Sequence, residues 1–74
     1  MTSTKTKVTQ MVHEWELDWF NGDEWEECGM YSFKNEPEYV RDKFMSEVYE
    51  DEVVENMNIT HVGEVENGDH LPVI

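Results

Sequence analysis

The run His13-Glu14-Trp15-Glu16-Leu17-Asp18-Trp19 alternates between large and acidic side chains without exception. Successive side chains point to opposite faces only in an extended strand, so this period of two specifies a ribbon with one acidic face. Between Val8 and Phe20 one row reads Met11, His13, Trp15, Leu17 and Trp19. The other reads Val12, Glu14, Glu16, Asp18 and Phe20. Asn21-Gly22 follows, a strong hairpin signal. A second alternating run starts at Asp23. Trp25, Gly29, Tyr31 and Phe33 share one parity, and Glu24, Glu26, Cys28 and Met30 share the other.

The parity of these two runs predicts a register. A two-residue Asn21-Gly22 loop would pair Phe20 with Asp23 and Leu17 with Glu26, which places acids on the tryptophan face. A three-residue loop, Phe20-Asn21-Gly22, pairs Trp19 with Asp23 and Leu17 with Trp25. Gly22 suits the left-handed position of such a turn-plus-bulge. The three-residue loop is therefore expected. It sets Asp18 opposite Glu24 and Glu16 opposite Glu26, and it leaves Glu27 as a misfit on the inner face.

Asn35-Glu36-Pro37-Glu38 reads as a helix start, with Asn35 as the cap, Pro37 in the first turn and Glu38 completing a capping box. Val40, Phe44 and Val48, spaced four apart, form its expected buried stripe, with Tyr39 and Met45 beside it. Residues 57–66 alternate again and predict a third strand, with Met57, Ile59, His61, Gly63 and Val65 in one row. Asn67-Gly68-Asp69 is a turn, and Leu71-Pro72-Val73-Ile74 is a short edge segment or an apolar tail. The expected architecture is a small α+β domain of β-β-α-β order. Its three-stranded antiparallel-type sheet carries one helix on the apolar face.

Length and charge narrow the function classes. The 74 residues allow one domain, expected over residues 7–74 with a disordered start at 1–6. A chain of this size buries roughly 60% of its unfolded surface, so the core is thin. Net charge is −13, of which +2 falls in residues 1–10, leaving −15 for residues 11–74. That charge opposes direct binding of nucleic acid or anionic lipid, which need basic patches. Charge of this kind is also a mark of disorder, but three Trp, three Tyr and three Phe placed with period argue for a folded core. No apolar run approaches the ~20 residues of a membrane span, and the start has no apolar leader segment. With the single Cys28, a cytoplasmic protein is expected.

No catalytic constellation emerges. Ser32, Ser46 and Cys28 have no nucleophile context, and no glycine-rich phosphate loop exists. Glu14 and Glu16 could in principle do glycosidase work, but so short a chain rarely builds both a core and a substrate cleft. Cys28, His13, His61 and His70 lack zinc-ligand spacing, and Cys28 and His13 are expected on opposite faces. His13 and His61 are expected on the inner face with satisfied nitrogens. Glu50, Asp51, Glu52 and Glu55 lack the Asp-x-Asp-x-Asp-Gly pattern of a calcium loop. Asn58-Ile59-Thr60 matches a glycosylation sequon, which means little without secretion. No metal or cofactor is implied. Trp15, Trp19 and Trp25 are expected to pack on the helix, with one left exposed as an interface anchor if the helix covers only part of the sheet.

What remains is the carboxylate ladder. Glu14, Glu16 and Asp18 stand roughly 6.7 Å apart along one strand face. Like charges facing each other across strands are destabilising. A thin-cored domain bearing that cost suggests a cationic target, although a solvated strand face is the plain alternative. In size and charge the whole chain is similar to small acidic inhibitors of phages and mobile elements, the DNA-mimic, anti-restriction and anti-CRISPR proteins. That resemblance involves no motif and transfers no residue roles. It implies a non-enzymatic inhibitor whose acidic face occupies a basic groove of a host nucleic-acid-binding protein. Glu14, Glu16, Asp18, Glu24 and Glu26 are the expected partner-binding residues, with Glu50, Asp51 and Glu52 as a second patch. The alternative function is a small interaction module that dimerises or adds a strand to a partner through Leu71–Ile74 and its sheet edges.

Overall fold

A computed structural model describes residues 10–48, 51–68 and 71–74. Strand β1 (Met11–Phe20) is followed by β2 (Trp25–Ser32), helix α1 (Pro37–Ser46) and β3 (Glu55–Glu66). The sheet order is β2-β1-β3, with both pairings antiparallel. This is the expected α+β domain, with the alternating strand at the centre and the helix on its apolar side. The expected disordered start at residues 1–6 lies outside the described residues.

The hairpin register corrects the sequence reading. Phe20 pairs with Trp25, Trp19 with Glu26, Asp18 with Glu27, Leu17 with Cys28, Glu16 with Gly29 and Trp15 with Met30. Asn21 builds the turn. Its side-chain carbonyl oxygen accepts from the Asp23 and Glu24 amides, both at 2.8 Å, and its own amide donates to the Glu24 carbonyl at 2.9 Å. Gly22, at φ +97°, takes the left-handed conformation inside this turn. The physical reason for the shift is Glu27. The three-residue loop would set its carboxylate opposite Trp15, at the centre of the apolar face, where an unpaired charge is costly. The observed register turns Glu27 outward and exposes Trp25 at the sheet's end instead.

The core gathers on the helix side. Trp15, Leu17, Trp19 and Val40 are buried together, flanked by Cys28, Met30, Phe44, Val54, Met57 and Ile59. Trp19 packs on Phe44 with ring centroids 4.8 Å apart. Trp15 donates its indole N–H to the fully buried Ser32 hydroxyl at 2.8 Å, and that hydroxyl donates to the Lys34 carbonyl at 2.6 Å. The chain leaving β2 is thereby tied to the middle of β1.

The helix starts one residue later than the expected cap. Glu36, not Asn35, occupies the cap position, and no side chain caps the first turn. Pro37 sits inside it, where its missing N–H costs nothing. The helix ends at Ser46, so Val48 of the expected stripe lies beyond it. Val40 is buried, and Phe44 and Val48 are half-buried.

Strand β3 carries two register shifts against β1, between Glu14 and Trp15 and between Asp18 and Phe20. Asn56, at φ 50°, lies in the second, a conformation that asparagine tolerates better than most residues. The first shift leaves Val62 without a partner between His61 and Gly63. It divides the expected single row: Ile59 and His61 pair with the inner residues Leu17 and Trp15, whereas Gly63 and Val65 pair with Glu14 and Val12. The C-terminal segment returns to the free edge of β2, where Val73 bridges Tyr31 in parallel and the Ile74 amide donates to the Tyr31 carbonyl at 2.8 Å.

Ser32→Ala leaves the Trp15 indole N–H buried without an acceptor, and such a loss costs about 1–3 kcal/mol. Urea denaturation is expected to show a lower midpoint with an unchanged slope.

Candidate functional site

The outer face of the sheet takes its charge from β1. Glu14, Glu16 and Asp18 follow one another along the central strand, with Asp18 directly opposite Glu27 of β2. None of the three strands contains Lys or Arg. The Lys and Arg residues within 10–74 are Lys34, Arg41 and Lys43, in or just before α1. Lys34 and Lys43 lie over the Tyr39 ring at 4.7 and 5.6 Å from its centroid, so part of the local positive charge is turned to an aromatic face. On the acidic face, Asp18 accepts from the Asn58 side-chain amide at 3.2 Å, which holds one carboxylate in place.

Gly29 opposite Glu16 opens this face. With no side chain there, a shallow hollow of about 270 Å³ forms, lined among others by Glu14, Glu16, Glu27 and Val62. At one end of the same face, Phe20 and Trp25 pair across the strands with ring centroids 6.0 Å apart. Trp25 is 54% exposed. Trp15 and Trp19 pack on the helix side as expected, but Trp25 does not: the register turns it to the face opposite the helix, and that, rather than partial helix cover, leaves it exposed.

Of the expected partner-binding residues, Glu14, Glu16 and Asp18 share this face. Glu24 and Glu26 do not join the ladder. Glu24 is in the turn, and Glu26 pairs with Trp19 on the opposite side of the sheet, accepting from the Asn21 side-chain amide at 2.7 Å. Glu27 takes the place assigned to Glu24. Asp51 and Glu52 are exposed after the helix, and Glu52 borders a groove on the helix side of the sheet. They form no continuation of the outer row. Glu50 and His70 lie outside the described residues.

The register shift also moves Cys28 to the inner face, the same side as His13, rather than opposite it. The two remain apart along the strands, because Cys28 pairs with Leu17 and His13 with Ser32. His13 Nδ1 and His61 Nε2 share a hydrogen bond at 3.0 Å, and His61 packs on Trp15 with centroids 4.8 Å apart. Both histidines are thus on the inner face, with one nitrogen each engaged. Among the described residues, no three or more His, Cys, Asp or Glu side chains are arranged to hold a metal ion, and no helix is long and apolar enough to cross a membrane.

Burial pushes the Cys28 thiol above its ordinary pKa by disfavouring the thiolate. Alkylation by iodoacetamide at pH 8 is expected to run slower than for the urea-unfolded chain, with the difference narrowing as pH rises. A thiol of raised pKa favours the fold while neutral. Stability is therefore expected to fall once pH passes the unfolded thiol's pKa, and Cys28→Ala is expected to remove that alkaline component.

Comparison with protein-family models, with curated proteins and with solved structures finds no match to this chain.

Proposed function

We propose that the chain is a small non-enzymatic inhibitor whose outer sheet face docks on a basic groove of a cytoplasmic nucleic-acid-binding protein. The observation that carries this reading is charge segregation on a rigid surface. Glu14, Glu16, Asp18 and Glu27 share one face, and no strand holds a Lys or Arg to neutralise them. A sheet face fixes the carboxylates before binding, so little ordering is needed at the moment of contact. The hollow over Gly29 offers room for a cationic side chain between Glu14, Glu16 and Glu27. Phe20 and Trp25 supply an adjoining apolar anchor of the kind that dominates binding energy at interfaces. Complementary charge of this sort speeds encounter and makes the complex salt-sensitive.

The test compares two sets of substitutions. The outer-face variant Glu16→Gln/Asp18→Asn/Glu27→Gln should fold at least as stably as the wild type. It removes a like-charge cross-strand pair, a repulsion on the order of 0.2–1 kcal/mol. It should also lose capture of a basic protein from lysate at low salt. The control Glu24→Gln/Glu26→Gln removes two charges away from that face and should retain capture. Duplex DNA added to the captured complex should displace the wild-type chain. Equal capture by both variants, or no displacement by DNA, would overturn the assignment.

A further inference from the structure

The helix side of the sheet carries a second surface that the acidic face does not use. Helix α1 lies towards β3, where Arg41 and Met45 border Val54, Met57 and Ile59. The inner row of β2 is left beside it as a groove of about 360 Å³. Trp19, Cys28 and Met30 form its floor, Phe44 and Val48 its wall, and the exposed Glu47 and Glu52 its rim. Trp19 is only 6% exposed, and its buried indole N–H has no acceptor among the described residues. Strand β2 is also an edge strand, bridged on its free side only at Tyr31 by Val73 among the described residues. Backbone donors and acceptors between Trp25 and Met30 are therefore open to an added strand.

We propose that this groove binds an extended cationic segment of a partner protein, one that places an apolar side chain between Met30 and Phe44 and Lys or Arg beside Glu47 and Glu52. The backbone of the segment lies along the free edge of β2, which lets alternate side chains drop into the groove. Its volume, at the low end for ligand pockets, suits one or two side chains. The rim determines the sign of the occupant. Both of its charged groups are carboxylates, and Glu26 adds a third on the same side of the sheet. A second copy of the chain would bring another −13 to this surface, whereas a cationic segment complements it. This inference does not rest on the outer-face reading, since the two surfaces lie on opposite sides of the sheet.

The test is an NMR titration of the ¹⁵N-labelled chain with two end-blocked synthetic peptides of equal charge, Lys-Thr-Leu-Thr-Lys and Lys-Thr-Ser-Thr-Lys, in which the central residue and both lysines share one strand face. The leucine peptide is expected to shift the Trp19 indole N–H and the Cys28 and Met30 amides. The serine peptide is expected to leave those signals in place. Glu47→Gln/Glu52→Gln alters only exposed side chains, so the fold is retained, and it should weaken the leucine peptide by about tenfold, equivalent to ~1.4 kcal/mol. Met30→Ala should weaken it without changing the response to the serine peptide. The proposal is overturned if both peptides move the same signals along Glu14, Glu16 and Asp18 while Trp19 and Met30 stay fixed. It is equally overturned if sedimentation shows that a second copy already covers the groove.

Discussion

The Asn21 side chain holds the turn on which the rest of the molecule depends. One amide group accepts two backbone N–H bonds within the turn and donates to Glu26 beyond it. These bonds fix which residue of β2 faces which residue of β1. A slip of one position would turn every side chain of β2 to the other face. With the register as found, Cys28, Met30 and Ser32 join the tryptophans, and Trp25, Glu27, Gly29 and Tyr31 join the acids. The thin core, the buried bond from Trp15 to Ser32 and the composition of both surfaces follow from that choice.

Energetically the domain is lopsided. Most apolar burial lies between β1 and α1; in the outer row Val12 is fully buried, but further along Asp18 stands against Glu27 without a compensating Lys or Arg. Repulsion of this kind lowers the stability of a fold that has little core to spare. A row of neutral polar residues would keep the same strands without that cost. The acids add nothing to the stability of the fold, which is the ground on which a partner is proposed for them.

Much of the architecture was legible in the sequence because its signals were periodic. The unbroken alternation of His13–Trp19 specified a central two-faced strand, Asn21-Gly22 marked the hairpin, and Pro37 with Val40 and Phe44 marked the helix. Register was harder to read. Counting large apolar groups favoured placing Trp25 inside, but one tryptophan at the sheet's end weighs less than one carboxylate at its centre. Glu27, a misfit on the inner face in that register, decides between the two pairings. The irregularities of β3 left fainter traces. Val62 interrupts the row without any change in composition, so the regrouping of Gly63 and Val65 had no sequence signal beyond the glycine itself. The groove beside β2 was also hidden, because it depends on how far the helix leans towards β3.

The outer face presents fixed negative charge with an aromatic pair at its end, and the inner groove presents an apolar floor with an acidic rim. Both are proposed to take cationic partners, and the hollow on one and the groove on the other follow from how β2 is paired. The most direct measurement is therefore of that pairing. Cross-strand NOEs between the backbones of Leu17 and Cys28 and of Trp15 and Met30, in a uniformly labelled sample, are the predicted result. NOEs linking Leu17 with Trp25 and Glu16 with Glu26 would contradict it, returning Glu27 to the tryptophan face, taking Cys28 and Met30 out of the groove and replacing the hollow over Gly29 with Glu24 and Glu26.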